Sequence, residues 1–404
     1  MKLFLRFIIL LVGFSFPLNS ISLQFVDGRD FSIGFMVSIL YVVCMLPYLT
    51  KLTNLTKTYG KVVFLPLFFL LLLTITNYIY SSEAPDIPIF NTSIFLCFVL
   101  MCFMLYHSIF DKDAIQFCLW GFSLGCCLVA IIFWEINGVG PIDERITFLE
   151  ENANGLGIYM AIGSIIILND FMILDKLKLG LLRFIFIIPV ILLVSALFAT
   201  ASRTAFLILS LSLIVLVVLY PTKNRYAKGI VIIIGLVGIV ALGGYLITNS
   251  DDYLVVSRLL EVEDDNMSGR GDIWLTLIPH ISEHPILGVG QTGYASIGKY
   301  ILNHTKEIGG ITYGFSPHNV IIEVALYTGI LGLSIWLIFW GTLIQKSLKS
   351  YKYAKEYLSI LLLIPIVASI LSGQILAAKW AYMIYAYIFA QFAQLQQPQN
   401  QSVE

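Results

Sequence analysis

Residues 183–220 read RFIFIIPVILLVSALFATASRTAFLILSLSLIVLVVLY, apolar throughout except around Thr200-Ala201-Ser202-Arg203. A bilayer core is crossed by roughly 20 apolar residues in a helix, so one helix over this whole stretch would be implausibly long. The polar tetrapeptide must be a tight turn joining two spans. The rest of the chain repeats the pattern. Of 404 residues, 58% are hydrophobic and only 12% charged, and mean hydropathy is +0.89. A soluble domain carries about 25% charged residues, so half that supply cannot cover a water-facing surface, and lipid must be the main solvent.

Apolar runs predict spans near 5–24, 31–50, 62–80, 92–110, 114–135, 153–173, 183–200, 204–220, 229–248, 318–342, 357–372 and 376–393. Lys2 and Arg6 ahead of the first run resemble a signal peptide. A small-x-small cleavage site is missing and further spans follow directly, so a retained first helix is expected. Lysine and arginine in the loops set the orientation. With the N-terminus inside, inside segments hold sixteen of them and outside segments eight, four of the eight in one long loop where the rule has little force. Both termini are therefore expected in the cytoplasm. That long loop, 249–317, far exceeds an ordinary connection, and such loops usually carry function. The expected fold class is all-α: a polytopic membrane protein, one integral membrane domain over 1–404, with about 12 transmembrane helices. The extracytoplasmic loop 249–317, containing amphipathic helices, is inserted between the ninth and tenth. A formal net charge of −1 argues against a nucleic-acid partner. All six cysteines lie inside apolar runs, so neither a disulfide framework nor a structural zinc site is expected.

Within the loop, residues 268–285 read as an amphipathic helix, with Ile273, Trp274, Leu277, Ile278 and Ile281 on one stripe and Pro285 at its end. Such a helix suits the membrane interface, and Pro279 inside it predicts a kink. Arg270 falls in its first turn, where the helix dipole already favours an anion. It either binds one or is an ordinary surface arginine. Arg203 opens the span after the tight turn, flanked by Ser202 and Thr204. Snorkelling explains it plainly; a planar fork gripping phosphate oxygens is the functional reading. His318, in Ser316-Pro317-His318-Asn319, stands at a helix start, a setting that favours a neutral imidazole able to accept a proton. An interfacial hydrogen-bonded histidine is the plain alternative. His280 and His284 sit four apart, but no third metal ligand is evident. Gly288-Val289-Gly290-Gln291-Thr292-Gly293 is formally GxGxxG, yet no βαβ unit surrounds it; a flexible turn fits better than a dinucleotide site. Asn152 and Asn154 open the sixth span, as caps or as lining of the same outer cavity.

Ser202-Arg203-Thr204-Ala205, Gly269-Arg270-Gly271-Asp272-Ile273-Trp274, His284-Pro285-Ile286-Leu287-Gly288-Val289-Gly290, Pro317-His318-Asn319 and Gly329-Ile330-Leu331-Gly332 occur in that order, with Asn152-Ala153-Asn154-Gly155 earlier. Together they resemble the O-antigen ligase and O-antigen polymerase superfamily of bacterial envelope polysaccharide glycosyltransferases. The resemblance covers about the second half of the chain; the first half agrees only in span count. It implies a bacterial inner-membrane enzyme with a periplasmic active site. That enzyme would move a glycan from undecaprenyl diphosphate to a lipid-linked glycan or a lipid A core. By position, Arg203 and Arg270 would hold the diphosphate and His318 would act on the acceptor hydroxyl. Asn152, Asn154, Trp274 and Asn319 would line the substrate site, with neither metal nor cofactor required. The Asn-Ala-Asn-Gly tetrapeptide inclines slightly towards polymerase over ligase. A secondary transporter or exporter of polysaccharide precursors is the alternative from another class. Such a protein would be expected to show internal repeats and mid-bilayer charges; the sequence shows no repeat, and its charges gather on the outer rim.

Overall fold

The computed structural model describes residues 2–19, 21–24, 30–85, 87–137, 152–219, 270–301, 305–308, 311–314, 317–371 and 375–396. Among them the chain is almost entirely helical. In order come α1 (Lys2–Ser15), α2 (Ile33–Met45), α3 (Leu52–Ile79), α4 (Thr92–Phe110), α5 (Ala114–Asn137), α6 (Ala153–Ile167), α7 (Ile187–Ala199) and α8 (Arg203–Leu219). The later helices are α9 (Arg270–Glu283), α10 (Gly290–Ile301), α11 (Val320–Ala354), α12 (Tyr357–Leu361), α13 (Leu363–Ala368) and α14 (Lys379–Gln396). Two small antiparallel ribbons add strands, β1 (Ser22–Gln24) with β2 (Asp30–Ser32) and β3 (Thr305–Ile308) with β4 (Ile311–Gly314).

Eleven of the twelve expected spans fall on helices; the one at 229–248 lies outside the described residues. Among the described residues, six helical segments are long and apolar enough to cross a membrane: Thr53–Ile79, Thr92–Phe110, Ala114–Asn137, Ala153–Ile173, Gly180–Ala199 and Val320–Ala354. Ile33–Leu49, Arg203–Leu219 and Tyr357–Ala368 are apolar but shorter. The tight turn at 200–203 is present between α7 and α8. Ala201 takes a left-handed φ of 47°, its N–H donating to the Phe198 carbonyl at 3.0 Å.

The chain forms two compact units. The first comprises Met1–Pro47, Asp111–Val262 and Ser350–Ala368. Lipid supplies no hydrophobic drive between helices, so small residues that allow close backbone approach take over. A methyl group added at Gly13 would overlap the Cys118 carbonyl of α5, and one at Gly121 would overlap the Leu10 carbonyl of α1. At one end of this pair, Arg6 grips Asp111 with two 2.6 Å hydrogen bonds and Asp113 with one of 2.7 Å, and Lys2 reaches Asp111 at 3.3 Å. Beside it, α6 unwinds into a π-turn at Leu168–Ile173. There the buried Asp170 accepts from Trp120 at 2.8 Å, from Gln116 and from Lys176 at 2.8 Å.

The second unit comprises Tyr48–Phe110, Glu263–Lys349 and Ser369–Glu404. Its decisive feature is a break in α11. Gly329 has φ 59° and ψ −161°, a conformation open essentially to glycine alone. The break interrupts the helical ladder, and the loop after α9 takes up backbone groups at that point. Val289 N–H donates to the Leu326 carbonyl at 2.7 Å, Ile330 N–H to the Pro285 carbonyl at 2.8 Å, and Leu331 N–H to the Ile286 carbonyl at 3.4 Å. Gly288, with φ 67°, lies so close that a methyl group there would sit 2.7 Å from the Gly329 nitrogen. The motifs at 284–290 and 329–332 are thus two sides of one backbone contact. Gly290, at φ 71°, makes a second such approach, to Asn77 on α3. The buried Asn77 accepts the Gln291 N–H at 2.6 Å, donates to the Ile89 carbonyl at 2.9 Å and takes the Thr292 hydroxyl on its carbonyl at 3.0 Å. The expected flexible turn is therefore a packed crossing.

Two outcomes follow from this packing. Gly329→Ala should lower thermal stability by about 1–3 kcal/mol, measured by unfolding in lipid nanodiscs, while Gly341→Ala, with open space around it, should leave it unchanged. Burial alone would raise the Asp111 carboxyl, but Arg6 and Lys2 hold it below its usual range. Its stabilising contribution is accordingly complete above about pH 4 and disappears as pH falls through the lowered value. Asp111→Asn should remove it at neutral pH, at a cost of roughly 3 kcal/mol.

Candidate functional site

Arg203, Asn152 and Asn154 belong to the first unit. Asn152 is the N-cap of α6, its side-chain oxygen accepting from the Asn154 N–H at 2.9 Å. Asn154 in turn accepts from the Ser202 hydroxyl at 3.0 Å, and Ser202 takes the Ala205 N–H at 3.3 Å. Gly157 lets α6 meet this turn closely; a methyl group there would lie 2.8 Å from the Ala205 methyl and 2.9 Å from the Thr200 hydroxyl. The start of α8 is thus fixed by the start of α6, and Arg203 is its first residue. Its Nε is buried with no hydrogen-bond partner among the described residues. Leaving a charged donor unmet is costly, so this is a place where an acceptor is wanted.

Arg270, Trp274, His318 and Asn319 belong to the second unit. Helix α9 begins at Arg270 and runs through Pro279 to Glu283, close to the boundaries expected from Ser268 and Pro285. Trp274, one turn after Arg270, donates its indole N–H to the Pro317 carbonyl at 2.7 Å. The loop helix is thereby fastened to the residue before His318. His318 has a left-handed φ of 51°, rare for a side chain other than glycine and a frequent mark of functional sites. Asn319 follows as the cap of α11, its side-chain oxygen accepting from Ile321 N–H at 3.0 Å and Ile322 N–H at 3.4 Å. The two histidines take separate partners: His280 on α9 meets Glu283 at 2.9 Å, and His284, just past the helix, meets the Tyr80 hydroxyl at 3.1 Å.

A further polar group escaped the sequence reading. In the first turn of α11, Glu323 has its Oε2 out of solvent and without a partner among the described residues. Tyr327, one turn further along α11, lies beside it and beside Gln291. Gln291 Oε1 accepts from Asn91 at 2.8 Å, and Tyr294 stacks obliquely on Tyr327 at 5.7 Å. A carboxyl inside an apolar span is a functional signal by default, and Glu323, alone in the run 318–342, carried that signal. Asn91 and Gln291, bonded to each other across two hundred residues, gave none.

If the indole bond holds the 317–319 segment in place, Trp274→Phe should keep the ring contact and lose that restraint. Amide exchange at residues 318–322 should then accelerate by about tenfold, equivalent to one hydrogen bond of roughly 1.4 kcal/mol, with α14 unchanged.

Residues 188–337 match the family model described as O-antigen ligase. The matched segment takes in Arg203, Arg270, Trp274, His318, Asn319 and the break at Gly329. No curated protein matches the chain significantly. Over residues 188–337, which hold α8, α9 and the start of α11 but not α6, the chain is similar to the O-antigen ligase family.

Proposed function

We propose that this chain is a membrane glycosyltransferase that moves a glycan from undecaprenyl diphosphate to an acceptor sugar hydroxyl, as a surface-polysaccharide polymerase or ligase. The observation that carries the reading is Arg203: a guanidinium at a helix start, with its Nε buried and unmet among the described residues, inside the segment that matches the family model. Arg203 and Arg270 are assigned to the diphosphate. As the bond from the anomeric carbon to the leaving oxygen breaks, its electron pair stays on the diphosphate. Guanidinium donors meet the growing charge without needing a metal.

His318 is assigned to the acceptor. It takes the proton of the attacking hydroxyl as the new carbon–oxygen bond forms, and attack opposite the departing diphosphate inverts the anomeric carbon. The left-handed backbone at His318 and the indole bond to Pro317 support a fixed imidazole. Trp274 and Asn319 hold this segment, and Asn154 with Asn152 holds the start of α8; their expected substrate contacts are made from these anchored positions. The excess of lysine and arginine in the inside loops supports cytoplasmic termini, a periplasmic site and residence in a bacterial inner membrane.

The test is transfer by purified protein in nanodiscs supplied only with lipid-linked repeat units. Longer lipid-linked chains identify a polymerase; product formed only after addition of lipid A core identifies a ligase. Arg203→Ala, Arg270→Ala and His318→Ala should each slow transfer by at least about 100-fold while remaining inserted. Full activity of the His318 variant removes it from the chemistry, and uptake without transfer favours the exporter.

A further inference from the structure

The second unit contains a cleft of about 360 Å³ lined by Pro88, Phe90, Asn91, Gln291, Tyr294 and Tyr327, among others. That volume lies within the range of small-molecule sites. Two of its polar groups are oriented by hydrogen bonds. Asn91 Oδ1 accepts the Ile94 N–H at 2.8 Å, which fixes the carboxamide and turns its NH2 towards Gln291 Oε1, 2.8 Å away. A carboxamide carries two N–H donors. Asn91 uses one of its pair on Gln291 and keeps the other for a ligand, and the Gln291 carboxamide and the Tyr327 phenol line the same cleft. Burial and the nearby Glu323 push the Tyr294 phenol above its usual range, so it stays protonated.

We propose that this cleft is a subsite for one neutral sugar residue of the glycan. Preorganised amide donors suit the hydroxyl and carbonyl oxygens of a sugar, and the flat faces of Phe90 and Tyr294 suit the C–H face of its ring. None of the described lining residues is Lys, Arg or His. A carboxylated sugar would be desolvated there with no cation among the described lining residues to meet it, which is costly. The cleft is built on α10 and α11, and α11 starts directly after His318 and Asn319. This assignment rests on the glycosyl-transfer reading for its choice of a sugar, so its test reads binding and not transfer.

Full-length protein in nanodiscs would be titrated with N-acetylglucosamine and, separately, with glucuronate, followed by saturation-transfer difference NMR. Wild type should bind N-acetylglucosamine saturably and glucuronate at least tenfold more weakly. Gln291→Leu and Tyr294→Ala should each weaken N-acetylglucosamine binding at least tenfold at an unchanged unfolding temperature, and Gly341→Ala, with open space around it, should bind as wild type does. Should one of the two cleft variants unfold, the other decides. Equal affinity in a folded cleft variant, glucuronate bound as tightly as N-acetylglucosamine, or no saturable binding to wild type would overturn the assignment. Sugar binding lost in the cleft variants of a protein that transfers nothing would leave the subsite standing and remove the glycosyl-transfer reading alone.

Discussion

Breaking the backbone ladder of α11 at Gly329 is the constraint from which the second unit follows. A broken helix in an apolar setting must find new partners for the freed groups, because each unmet backbone group costs several kcal/mol there. Residues 285–289 supply them, carbonyl by carbonyl and N–H by N–H. The loop is consequently stitched to the helix that begins just after His318 and Asn319. From the same seam, α9 runs one way to Arg270, and α10 starts the other way at Gly290 and Gln291. Removing the seam would release both.

A second anchor acts through Asn77, which meets the backbone of Gly290 and Gln291 and the carbonyl of Ile89. One buried amide thus holds the start of α10 and the approach to α4, and between them lies the cleft of Asn91, Gln291, Tyr294 and Tyr327. In the first unit the logic differs. Glycines on α1 and α5 bring two helices into backbone contact, and Ser202 with Asn154 pins the turn from which Arg203 projects. Both arrangements depend on positions where a side chain would be too big or an amide is needed.

Much of this was legible in the sequence where the signal is local. The turn at 200–203 was readable because hydroxyls and a charge interrupt an apolar run too long for one span. The limits of α9 were readable from Ser268 and Pro285. The break at Gly329 was not, since a glycine in an apolar stretch does not announce a partner forty residues earlier. Gly288 and Gly290 were expected in a flexible turn for the same reason: their packing partners, Gly329 and Asn77, are distant in the chain. Asn152 and Asn319 show a subtler limit. A residue that caps a helix and one that lines a cavity look alike in one sequence, and both asparagines prove to be caps whatever else they touch. The left-handed backbone at His318 had no local signal at all, because Pro317 restricts the residue before it and not the one after.

The central claim is that Arg203 and its surroundings exist to hold a lipid diphosphate. Native mass spectrometry of the intact protein with undecaprenyl diphosphate, wild type against Arg203→Gln, measures this without any acceptor or turnover. The account predicts at least a tenfold loss of affinity in the variant, with undecaprenol itself binding both proteins equally. Undecaprenyl diphosphate binding the two proteins with the same affinity would contradict it.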